Sequence, residues 1–127
     1  MPRTYCRILG IATLLMGIGG FVMPHFMGFH LTPVHNLIHL ATGAIASWVG
    51  FGGSLAACRT FCRVFGVVYG LVALLGFVAP GLLGTILGHR GLSTGELMPD
   101  NMLHVVIALC ALGAGFAPAH EGTVRPA

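Results

Sequence analysis

Arg3-Thr4-Tyr5-Cys6-Arg7-Ile8-Leu9-Gly10 returns 56 residues later as Arg59-Thr60-Phe61-Cys62-Arg63-Val64-Phe65-Gly66. The match continues through Gly20-Phe21-Val22-Met23-Pro24 and Gly76-Phe77-Val78-Ala79-Pro80, making 10 of 22 aligned positions identical. A second pair of segments aligns at an offset of 65: Asn36-Leu37-Ile38-His39 with Asn101-Met102-Leu103-His104, Ala46 with Ala111, and Gly50-Phe51 with Gly115-Phe116. The offset grows because the second copy has a longer connection between its two segments. Self-similarity at this scale marks a repeated supersecondary unit. Repeat 1 covers about 3–51 and repeat 2 about 59–116.

Composition identifies the solvent of that unit. Of 127 residues 56% are hydrophobic and 7% charged, with mean hydropathy +0.93, against about 25% charged in a soluble domain. A bilayer core of about 30 Å takes about 20 apolar residues per helix. Four windows approach that length: Tyr5–Met23, Pro33–Phe51, Phe61–Ala79 and Pro99–Pro118. They predict an all-α fold, an integral membrane four-helix bundle in one membrane domain over 1–127. Two helices per unit return the chain to its starting side, so the repeats are parallel and related by a pseudo-twofold axis along the membrane normal. Gly10 and Gly17, Gly43, Ser47 and Gly50, and the Gly66/Gly70 pair supply the small residues through which helices associate in lipid.

The six basic residues are all Arg. Arg3, Arg7, Arg59, Arg63 and Arg125 flank one side of the windows and Arg90 the other. The positive-inside rule then places both termini and the Gly52–Thr60 connection in the cytoplasm, and Pro24–Thr32 and Pro80–Met98 outside. A nucleic-acid surface needs a continuous basic patch, so no nucleic-acid partner is expected. The first window resembles a secretory signal, but its internal copy argues for retained structure.

Asn36/His39 and Asn101/His104 are the polar residues that recur inside the windows. The i,i+3 spacing puts each pair on one helix face, and His39 shares its face with Gly43 and Ser47. Buried ionisable residues in a membrane are functional-site candidates. Three readings stay open: hydrogen bonds across helices that fix the register of the halves, neutral imidazoles ligating a metal or tetrapyrrole, or a path for a small molecule or proton.

The outer connection carries His25, Met27, His30 and His35, thioether and imidazole groups of the kind that suit copper. The second copy has no counterpart at Ala79-Pro80-Gly81-Leu82. His35 and His39 stand one turn apart, a spacing compatible with two metal ligands. The acids are Glu96, Asp100 and Glu121, all at or beyond window ends. Asp100 sits where a carboxylate favours the positive end of a helix dipole. Cys6, Cys58, Cys62 and Cys110 read as small packing residues. With no phosphate-binding loop, dinucleotide fingerprint or Ser/His/Asp set, no enzyme activity is expected.

The run Pro33-Val34-His35-Asn36-Leu37-Ile38-His39-Leu40-Ala41-Thr42-Gly43, the Arg63–Phe77 stretch and the second Asn-x-x-His together resemble a bacterial domain-of-unknown-function family of small four-pass membrane proteins. The resemblance covers nearly the whole chain. It implies the same four-helix fold and a multi-pass position in the bacterial inner membrane, and it implies no activity. The leading expectation is a non-enzymatic packing or accessory protein of a larger membrane complex or homo-oligomer. The alternatives are a heme, chlorophyll or copper binder using the paired histidines, and a small channel or transporter.

Overall fold

The structure, a computed structural model, describes residues 1–26, 28–89 and 91–118. Its elements are α1 (Pro2–Val22), a two-residue strand pair β1 (His25–Phe26) and β2 (Phe29–His30), α2 (Pro33–Gly52), α3 (Leu55–Val78), α4 (Pro80–Leu87) and α5 (Met98–Phe116). Proline stands in the first turn of α1, α2, α4 and α5, where its missing N–H costs nothing. Thr32 and Ser54 cap α2 and α3, their side chains accepting from the backbone N–H of His35 and Ala57.

α1, α3 and α5 are long and apolar enough to cross a membrane. α2 has comparable length, 20 residues, and its His35, Asn36 and His39 lower its hydropathy. Two boundaries differ from the sequence reading. α3 begins at Leu55, well before Phe61, because Ser54 caps it and Leu55-Ala56-Ala57 are strong helix formers; the Gly52–Thr60 connection shrinks to Gly53-Ser54. The Pro80–Met98 connection is not open chain throughout. Its Leu82-Leu83 and Ile86-Leu87 wind into α4, which ends at Gly88 in the left-handed region (φ 78°), a conformation that glycine adopts without strain.

α1 packs along α2 and α3 along α5, while α1 meets α3 across the middle; α2–α3 and α1–α5 touch only sparsely. The core holds Leu9, Ala46, Phe65, Tyr69, Ala108 and Ala111, continued at one end by Cys6, Val49, Cys58 and Cys62. Cys6 Sγ lies 3.7 Å from Cys62 Sγ, and Cys58 donates to the Val49 carbonyl. Phe61, Phe65 and Tyr69 stack in succession along α3, with centroids 5.4 and 4.0 Å apart.

Several contacts recur at equivalent positions of the two hairpins. Arg7 Nε donates to the Gly50 carbonyl and Arg63 Nε to the Gly115 carbonyl, both at 2.9 Å. Each guanidinium also lies over an aromatic ring, Arg7 over Phe51 at 5.1 Å and Arg63 over Phe116 at 4.7 Å. A guanidinium bound to the last carbonyls of a helix satisfies unpaired acceptors and complements the negative dipole end. At the opposite end, Asn36 and Asn101 fill the space above Gly20 and Gly76. A Cβ at Gly20 would stand 2.6 Å from Asn36 Cγ, and one at Gly76 would stand 2.8 Å from Asn101 Nδ2.

Candidate functional site

The sequence candidates gather at the end of the molecule that carries β1, β2 and α4. Asn36, Asn101, His35, His39 and His104 are all buried, the two asparagines to 1% exposure. Asn101 Nδ2 donates to the Gly76 carbonyl at 3.0 Å and Asn36 Nδ2 to the Leu31 carbonyl at 3.3 Å. Each carboxamide therefore works within its own half. Asn101 thereby ties α5 to α3, whereas Asn36 holds the chain entering α2 and packs its carboxamide against Gly20 of α1, its Oδ1 having no partner among the described residues.

The imidazoles behave differently. His35 is the hub: it stacks on His39 (centroids 4.4 Å, planes 25° apart) and meets His104 at 5.9 Å and His89 at 5.2 Å. His89 in turn lies 6.4 Å from His30, and His30 lies 5.4 Å from His25. On the other side His104 stands edge-on to Tyr69 at 5.5 Å, and the Tyr69 hydroxyl lies 3.4 Å from Thr42 Oγ1. A file of titratable rings thus runs from exposed His25 to the middle of α3.

Hydrogen bonds fix part of this file. The His30 carbonyl can only accept, so His35 Nδ1 at 3.2 Å and His89 Nε2 at 2.7 Å donate to it; in the neutral rings the other nitrogen is then an acceptor. The His30 backbone N–H donates to Asp100 Oδ2 at 3.4 Å, and that oxygen lies 3.8 Å from His30 Nδ1. Asp100 consequently does more than start α5: it anchors the β2 strand. His39 Nδ1 and His104 Nδ1 are buried without a partner among the described residues.

No family model, curated protein or solved structure matches the chain.

Among the described residues no three His, Cys, Asp or Glu side chains form a group able to hold a metal ion. Of the proposed loop ligands, His25 and His30 are neighbours, His35 faces inward with His39, and Met27 lies outside the described residues. The acids are engaged elsewhere. Asp100 holds β2, and Glu96 accepts from the Ser93 backbone N–H and hydroxyl at 2.8 and 2.7 Å, contacts that hold its carboxyl below the ordinary value. Glu121 lies outside the described residues.

Two participants escaped the sequence reading. His89, 4% exposed, has no counterpart in the first repeat; the signal available was the apolar Leu82–Leu87 run stopped by Gly88, which predicts a short helix delivering the next residue inward. Tyr69 has Thr13 as its repeat equivalent, so the self-comparison passed over it. Thr32 joins the parts: its hydroxyl oxygen accepts from the His35 N–H at 3.2 Å while its proton goes to the Leu87 carbonyl of α4. Thr32→Ala is expected to destabilise the fold by about 1–2 kcal/mol, read as a lower thermal midpoint in detergent, and Thr32→Ser is expected to restore most of it.

Proposed function

We propose that the protein is a non-enzymatic, four-pass protein of the bacterial inner membrane, a packing or accessory subunit that associates with another membrane protein or with itself. In this reading the chain is a tandem-hairpin four-helix bundle of the small four-pass family it resembles, with both termini and the Gly53-Ser54 link in the cytoplasm. The recurring Arg–carbonyl and Asn–Gly contacts support the repeat, and the Arg3, Arg7, Arg59 and Arg63 flank supports the orientation.

The observation that carries the reading is a trench of about 270 Å³ between α3 and α5, floored by Gly70, Ala73 and Ala108 and walled by Leu109 and Leu112. A Cβ placed at Gly70 would meet nothing within 4 Å. Small residues at such a surface let another helix backbone approach closely, and packing of that kind drives association in lipid.

A photoreactive amino acid at Leu109, which is 64% exposed, tests this in intact membranes. It is expected to give a discrete crosslinked product. Gly70→Leu, which fills the trench, is expected to abolish that product while leaving the unfolding free energy within about 0.5 kcal/mol of the parent. A chain that yields only monomer, with no stable crosslinked partner, would refute the proposal.

A further inference from the structure

The sparse contact between α2 and α3 leaves a seam along the outside of the bundle. Its upper part is a cavity of about 260 Å³ in which His35, His104 and Tyr69 meet the aliphatic side chains of Val72, Leu83 and Ile86. Its lower part, about 410 Å³, runs past Thr42, Ile45, Phe61 and Phe65. Val68 and Tyr69 line both, so the two adjoin at the level where the Tyr69 hydroxyl meets Thr42. From Thr60 to Leu75 along α3 the seam spans about 22 Å at 1.5 Å per residue. Val68 and Ile86 at its rim are exposed, at 48 and 54%, which opens the seam toward the apolar exterior.

The chemistry of the seam restricts its occupant. No charged side chain lines either part, so nothing in the seam offsets the cost of burying a phosphate or carboxylate head. The polar groups are a phenol, an imidazole whose one nitrogen is committed to donating and whose other accepts (His35), and an imidazole with an unpartnered buried nitrogen (His104). Such a set can both give and take a hydrogen bond at a neutral head. Below it the lining is aliphatic and aromatic apart from the hydroxyls of Thr42, which is held by Tyr69, and Thr60 at the far end, suited to a tail lying parallel to the helices. Pockets of this kind, mostly apolar with a few convergent polar groups, are the usual form of small-molecule sites.

We propose that the α2–α3 seam binds a lipid-soluble quinone or quinol, with its ring head among His35, Tyr69 and His104 and its isoprenoid or alkyl tail along Phe61 and Phe65. The two oxygens of such a ring accept hydrogen bonds in the oxidised form and donate them in the reduced form, matching a site that offers both. The longer second connection is what completes it, since α4 supplies Leu83 and Ile86 as a wall. The proposal goes beyond the accessory role and does not depend on it, because the seam lies between α2 and α3 and the trench between α3 and α5.

The test uses the full chain in phosphatidylcholine nanodiscs and a photoreactive azido-benzoquinone with a decyl tail. Labelling is expected on peptides carrying Tyr69 or His104, and unlabelled decylbenzoquinone is expected to compete it while dodecane does not. Ile86→Trp, a change at the exposed rim that fills the cavity, is expected to lower labelling at least tenfold with helicity and thermal midpoint retained. Tyr69→Phe is expected to lower it about fivefold, the value of one hydrogen bond. Labelling that ignores Ile86→Trp, that dodecane displaces equally, or that maps to other helices overturns the proposal. Should Ile86→Trp lose its fold, Val68→Trp on the opposite rim gives the same readout.

Discussion

Gly76→Leu is expected to leave almost no folded protein in detergent. The carboxamide of Asn101 occupies the position a side chain would need, with Nδ2 2.8 Å from an ideal Cβ, and its amide donates to the Gly76 carbonyl at 3.0 Å. A larger residue must push α5 away from α3 or drive Asn101 off the Gly76 carbonyl. Overpacking alone costs about 1–3 kcal/mol, and a buried amide left unpaired adds about 1–3 kcal/mol. The measurement is the recovery of monodisperse protein and its thermal midpoint. Gly20→Leu is expected to do the same through Asn36. Pairing Gly76→Ala with Asn101→Ala supplies the control: the double variant is expected to be more stable than the sum of its singles predicts, because the two residues compete for one space. Additive singles would show that the contact is not the source of the loss.

Replacing Arg63 by Leu is the second large effect. Arg63 Nε donates to the Gly115 carbonyl, and its guanidinium covers Phe116. A charge-assisted hydrogen bond contributes about 1.5–3 kcal/mol and an exposed cation–π contact about 0.5–1 kcal/mol, so a loss of about 2–4 kcal/mol is expected by reversible unfolding. Arg7→Leu removes the equivalent pair with Gly50 and Phe51. The two losses are expected to be similar in size and nearly additive, because the contacts share no partner. Arg63→Lys is expected to recover only part, since an ammonium lacks the planar fork that reaches a carbonyl while stacking on a ring.

Much of this arrangement was legible in the residues because it is written twice. The four apolar windows each fall on a helix to within two residues at their C-terminal ends, and the recurrent Asn-x-x-His puts Asn36, His39, Asn101 and His104 at one end. What escaped was whatever occurs once. α4 and His89 fall in the part of the second connection that has no counterpart, and Tyr69 aligns with Thr13. Neither self-comparison nor a hydropathy window responds to such positions. The role of His35 was also opaque: its i,i+4 relation to His39 is compatible with two metal ligands, whereas the rings stack on each other at 4.4 Å. That outcome is decided by the His30 carbonyl holding Nδ1, a contact that depends on how the loop folds back. Similarly, the two asparagines look like partners in the alignment, but each is taken up by its own half, where the nearest glycine leaves room for it.

The two-residue Gly53-Ser54 link is the only covalent joint between the hairpins, and the strongest helix pairings, α1 with α2 and α3 with α5, fall on either side of it. The α1–α2 pairing is therefore complete within Pro2–Gly52 and the α3–α5 pairing within Leu55–Phe116, each a single run of chain. During synthesis Arg7 Nε and Asn36 Nδ2 already have their acceptors, the Gly50 and Leu31 carbonyls, before α3 has left the ribosome. The polar contacts between the units are different: the Tyr5 and Thr32 hydroxyls and the His35 ring meet the Ile107 carbonyl, the Leu87 carbonyl and His104 only once the second unit docks, so the end that carries Thr32 and His35 is the last part of the molecule to close.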